Sequence, residues 1–183
     1  MVKTASTPQV LKTGSRAPDF TLKGIDGMMH SLGDYRSKAT LVVFICNHCP
    51  YVKARISDIV ALQSRFKASE LQVLGINSND PNYKDEGFDN MIIFASQHKL
   101  NFPYLIDESQ DVARAYGAVC TPDPFLLDAD RRLVFHGRIN DALEPEANPT
   151  VPVMDNNVHK LLRGEKIEKD FDPSIGCSIK WKS

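Results

Sequence analysis

The chain lacks any apolar run approaching the roughly 20 residues that a membrane-spanning helix needs. Its first residues, Met1-Val2-Lys3-Thr4-Ala5-Ser6-Thr7-Pro8, lack the apolar stretch of a secretion signal. It also lacks an excess of charge, since 22 Lys and Arg face 23 Asp and Glu, and no segment gathers the basic side chains that would neutralise a row of phosphates. Internal repeats and low-complexity segments are absent. These absences argue against membrane and nucleic-acid partners and lead to the expectation of a cytoplasmic protein. Cysteine is scarce as well: Cys46, Cys49, Cys120 and Cys177 are too few and too unevenly spaced for the disulfide framework of a small secreted scaffold.

What is present suffices for one compact domain, with 42% of 183 residues apolar. Residues 1–13 are polar and read as a flexible arm, with the domain occupying 14–183. Alternation around Gly24-Ile25-Asp26-Gly27 predicts an N-terminal β-hairpin, and the continuous run Leu41-Val42-Val43-Phe44-Ile45 a buried central strand. Val52, Ile56, Ile59, Val60, Leu62 and Phe66 recur at helical spacing between about Pro50 and Ala68. Further strands are expected at 71–77 and 104–106, helices at 88–98, 109–116 and 153–162, and a second hairpin from 125–127 to 133–136. This order gives an α/β fold, a mixed central sheet with helices on both faces.

Only one cysteine pair is close in sequence, in Cys46-Asn47-His48-Cys49-Pro50, and it falls where the buried strand turns into the helix. A thiol near its ordinary pKa of about 8.5 is mostly protonated, so a reactive one needs its anion stabilised. A helix N-terminus supplies unpaired N–H groups and the positive end of the dipole. This placement assigns Cys46 the role of nucleophile and Cys49, one turn in, that of resolving thiol. His48 would add a hydrogen bond or positive charge near the Cys46 sulfur. About 75 residues later, Thr121-Pro122 stands just before Phe125-Leu126-Leu127-Asp128. A proline there can adopt the cis form and leave the backbone before it free to pair with an extended peptide beside the sulfur, making Thr121 and Pro122 substrate-groove residues.

Cys46-Asn47-His48-Cys49 after an apolar strand, Thr121-Pro122 before another, and Ala17-Pro18-Asp19-Phe20-Thr21-Leu22 upstream together resemble the thioredoxin-like superfamily. The chain is most similar to its peroxiredoxin-like branch, the AhpC/TSA-type proteins carrying a thioredoxin-style Cys-x-x-Cys, from about Gly14 to Trp181. The resemblance implies a thioredoxin-like fold and a thiol-disulfide oxidoreductase with an antioxidant, redox-homeostasis role. Its substrate would be a protein or small-molecule disulfide and its electron source a cellular dithiol, with no cofactor. Two departures bear on peroxide chemistry. Aligning the peroxiredoxin cysteine on Cys49 puts Cys46 where that family keeps its threonine, and Arg138 is a poor counterpart of its distant arginine. Against thioredoxin, Thr40 stands at the place of the buried acid and Ile45 at that of the flanking tryptophan.

The alternatives are a thiol peroxidase and a copper carrier, since two thiolates and an imidazole suit Cu(I). Two ordinary buried thiols and a zinc half-site fit the spacing less well, so no metal is expected. Cys120 and Cys177 are possible accessory thiols, and sequence does not say whether Cys177 meets Cys120 or Cys46. Asn77 to Phe88, with Asp80, Asp85 and Glu86, reads as a solvated connection.

Overall fold

The structure is a computed structural model and describes residues 2–183. Eleven strands and four α-helices follow in chain order: β1 (Lys3–Ala5), β2 (Thr21–Gly24), β3 (Met29–Ser31), β4 (Ala39–Phe44), α1 (Pro50–Arg65), β5 (Leu71–Asn77), α2 (Phe88–Gln97), β6 (Tyr104–Ile106), α3 (Asp111–Tyr116), β7 (Cys120–Thr121), β8 (Asp123–Asp128), β9 (Leu133–Gly137), α4 (Val153–Leu162), β10 (Phe171–Asp172) and β11 (Ile175–Ser178). Eight strands make one mixed sheet in the order β10-β9-β8-β4-β5-β6-β2-β3, and β1-β11-β7 form a small second sheet.

β4 is the keystone because every one of its residues is buried, as a strand covered on both faces must be. It runs parallel to β5 and antiparallel to β8, with Phe44 opposite Ile76 on one side and Asp123 on the other. Leu41, Val43 and Ile45 face one apolar layer with Val52, Ile56, Ile59 and Leu62 of α1, Met91 and Phe94 of α2, and Met154 and Val158 of α4. Val42 and Phe44 face the other, with Ala113 and Tyr116 of α3, Phe20 and Leu32. Full burial of each such Val, Leu or Ile is worth about 1.5–3 kcal/mol, and this fixes α1 against the sheet. Among the described residues no helix is long and apolar enough to cross a membrane.

The arm expected to be loose is docked instead; Met1 lies outside the described residues. β1 pairs antiparallel with β11, Lys3 opposite Cys177 and Ala5 opposite Ile175, and Leu11 is buried among the second layer. The tail, too, packs back on the domain: Ile179 is buried, whereas Trp181 stays 40% exposed with the Arg114 guanidinium 4.7 Å from its ring centre.

Candidate active site

The register of β4 against β8 sets the end of β4 beside the start of β8, so the loop after β4 meets the peptide before β8. That peptide, Thr121-Pro122, is cis. Cys46 Sγ lies 3.1 Å from Thr121 Oγ1, and Cys49 Sγ lies 3.3 Å from the Thr121 carbonyl oxygen. The structure thus brings together Cys46, Cys49, Thr121 and Pro122 as expected.

The helix opens at Pro50, where the sequence places it, but its first turn serves the second cysteine of the motif, not the first. Pro50 opens α1 and Cys49 is its N-cap, so the one first-turn N–H that bears on a motif sulfur, that of Val52, bears on Cys49. Protonated, Cys49 donates to the Thr121 carbonyl. Ionised, it is ringed by donors: the Cys46 thiol first, then the Cys177 thiol, the Val52 N–H and the Cys177 N–H. These outweigh burial and bring the Cys49 pKa down to about 5. Cys46 is pushed the other way, by burial above all and then by its hydrogen bond to Cys49 and the nearby Glu86 carboxylate. Both sulfur-bearing residues have 0% exposure.

Glu86 is the residue that sequence reasoning missed. Expected in a solvated connection, it is buried, and it gathers the motif loop around one carboxylate. The N–H groups of Asn47 and His48 donate to Oε1 at 3.1 and 3.2 Å, and Asn77 Nδ2 donates to Oε2 at 2.7 Å. The His48 ring pairs with the same carboxylate through Nδ1, stacks obliquely on Tyr83, and leaves a buried Nε2 without a partner. His48 therefore bears on Cys46 by way of Glu86. Thr40, at the place of thioredoxin's buried acid, merely shares a hydrogen bond with Ser37, so the buried carboxylate comes from the β5–α2 connection instead.

Cys46 Sγ, a His48 ring nitrogen and a Glu86 oxygen lie within 4.8 Å of one another. A thiol, an imidazole and a hard carboxylate are a poorer match to Cu(I) than the two thiolates and imidazole of the copper alternative. Arg138 is tied to Asp172 at 3.0 Å and brings no charge to the thiols.

The accessory cysteines separate. Cys177 meets Cys49, a third choice beyond Cys120 and Cys46, and burial followed by that hydrogen bond pushes its pKa up to about 12. Cys120 is buried with Ser174 Oγ 4.0 Å away, and burial together with Asp123 holds its thiol well up. Asp123 itself pairs with His136 at 2.7 Å in the same buried layer. The Thr121 edge, expected to be open to a peptide, is covered by β11, with Cys177 opposite Thr121.

A mixed sheet with helices on both faces and a Cys-x-x-Cys loop against a cis-proline define a thioredoxin-like fold. Within that class, the AhpC/TSA family model matches residues 13–136, more than half of the chain, and the chain belongs to this family. It is 30% identical over 120 residues to the thiol-disulfide oxidoreductase ResA of Geobacillus thermodenitrificans, 66% of either chain. Over 115 residues it is 31% identical to ResA of Geobacillus kaustophilus, 63% of either chain. The chain therefore matches about two thirds of these relatives' own length. Among solved structures, an uncharacterized conserved protein from Geobacillus kaustophilus superposes with a TM-score of 0.92 and 37% identity, covering 100% of this chain and 97% of that one. A hypothetical protein from Sinorhizobium meliloti 1021 gives 0.88 and 38%, covering 96% and 97%. The thioredoxin domain of a thiol-disulfide oxidoreductase from Bacteroides vulgatus, at 0.65 and 21% identity over 83% of this chain and 99% of that one, shares the fold.

Proposed function

We propose that this protein is a thiol-disulfide oxidoreductase whose resting thiolate is Cys49. The observation that carries the reading is the position of Cys49, at the N-cap of α1 and against the Thr121-Pro122 peptide, where its sulfur, once ionised, can accept from the Cys46 and Cys177 thiols and from backbone N–H groups. Similarity to relatives named thiol-disulfide oxidoreductase supports it.

The Cys49 thiolate attacks one sulfur of a substrate disulfide; the disulfide bond breaks and the departing sulfur takes a proton from solvent. Cys46 then attacks the Cys49 sulfur, its proton passing to the departing second substrate sulfur, which leaves as a thiol with a Cys46–Cys49 disulfide behind it. A cellular dithiol returns two electrons and two protons. These roles differ from those expected from the sequence because the donors gather on Cys49. Thr121 and Pro122 flank the exchanging sulfurs as the wall of the substrate groove.

The same exchange chemistry would serve an antioxidant, redox-homeostasis role in the cytoplasm, where thiols are kept reduced. Reduction of insulin disulfides with dithiothreitol as donor tests the activity. The reading expects turnover that Cys49→Ser abolishes; hydroperoxide consumption without insulin reduction would overturn it in favour of a peroxidase.

A further inference from the structure

Thr121 is the residue whose backbone the fold would offer to an extended substrate, and it already meets an extended segment. β11 runs antiparallel to β7, with Cys177 opposite Thr121 and Ser178 opposite Cys120, and the pairing continues through the Ile179 N–H to the Val119 carbonyl at 3.0 Å. Strand addition of this kind is how extended peptides are commonly recognised. A cysteine stands at the crossing, and both its N–H and its thiol meet the Cys49 sulfur. Gly176 makes the approach possible: a Cβ there would stand 1.9 Å from the Thr121 carbonyl oxygen, so any side chain would prise the strands apart. Polar contacts hold β11 at either end, Ser174 Oγ to Asp123 at 3.3 Å before it and the Lys180 N–H to Asn79 Oδ1 at 2.8 Å after it.

We propose that β11 is a built-in substrate strand and that Cys177 is an internal disulfide partner of Cys49, exchanging with the Cys46–Cys49 disulfide. The proposal rests on the thiol-disulfide reading above. The step is an isomerisation: the Cys177 sulfur attacks Cys49 Sγ, the Cys46–Cys49 bond breaks, and the proton lost by Cys177 ends on Cys46. No net electrons are exchanged, so the only oxidant needed is the substrate disulfide that formed the first bond. The product locks the tail, already paired across Thr121, so that it no longer lifts away for an external peptide until a dithiol reduces it.

The experiment treats the wild-type chain and the Cys46→Ser variant with a stoichiometric amount of oxidised glutathione and maps disulfides by mass spectrometry after trapping thiols. The expected result is an intramolecular Cys49–Cys177 bond in Cys46→Ser, and both Cys46–Cys49 and Cys49–Cys177 bonds in the wild type. Glutathione retained on Cys49 with Cys177 still alkylatable, or a bond to Cys120, overturns the proposal while a wild-type Cys46–Cys49 bond leaves the oxidoreductase reading standing. If the wild type forms no Cys46–Cys49 bond, both fall. A second arm needs no active-site substitution. Gly176→Ala is expected to speed Cys177 alkylation in the reduced protein at least about tenfold by parting β11 from Thr121, and an unchanged rate counts against the seated strand.

Discussion

Cys49 and Cys120 are both fully buried thiols on either side of the same cis peptide, yet their surroundings drive them apart. Cys49 occupies the N-cap of a helix and, once ionised, collects donors from two thiols and two backbone N–H groups. Cys120, on a short strand, faces the Asp123 carboxylate and has Ser174 Oγ 4.0 Å away. Burial is common to the two, so burial cannot be what makes a thiol reactive here. The start of a helix and the donors aimed at it decide the outcome.

The largest effect that would break this contrast is loss of the Cys49 thiol. Cys49→Ser is expected to lower insulin reduction at least about a thousandfold, as removal of a nucleophile commonly does, whereas equal activity would erase the distinction between the sulfurs. Next comes the carboxylate that organises the loop. Glu86→Gln keeps the shape but weakens acceptance from Asn47, His48 and Asn77, so denaturant unfolding should report a loss of about 1–3 kcal/mol. The same variant should let the Cys46 thiol ionise at lower pH, because a neighbouring negative charge is gone. If Cys46 ionisation did not move, Glu86 would be a purely structural post.

A subtler test follows the pH dependence of stability. Cys49 falls from 9.0 to about 5 on folding, so the folded state binds fewer protons than the unfolded one between those values. Its contribution is fully present above about pH 9, shrinks as the pH falls and is lost below about 5. Comparing denaturant midpoints of the wild type and Cys49→Ser across this window should show the difference closing towards acid; a constant difference would contradict the assignment. The smallest effect belongs to Cys120→Ala, expected to cost about 1 kcal/mol of stability and to leave the shape of the pH profile of turnover unchanged.

Much of the fold was legible because it rests on local pattern. The β-branched run of β4, the three-and-four spacing of α1 and the Gly-centred first hairpin each announce themselves within a few residues. β1, β7, β10 and β11 were not legible: they are two to four residues long, and β1 pairs with a strand at the opposite end of the chain. Nothing in Lys3-Thr4-Ala5 names Cys177 as a neighbour. The two motif cysteines and the cis-proline could be found because spacing and a turn residue mark them. Glu86 could not, since an acidic residue between Asp85 and Gly87 reads as solvated, and the backbone groups it binds lie 38 and 39 residues earlier. The different roles of Cys46 and Cys49 were not legible because the donors on Cys49 include the thiol and N–H of Cys177, brought in from the other end of the chain.

The central claim, that Cys49 and not Cys46 carries the resting negative charge, is tested most directly by following thiolate ultraviolet absorbance against pH in the Cys46→Ser and Cys49→Ser variants. The account predicts a one-thiolate transition near pH 5 that survives in Cys46→Ser, where a serine hydroxyl still donates to the sulfur, and vanishes in Cys49→Ser. A transition in that range that persists in Cys49→Ser would contradict it.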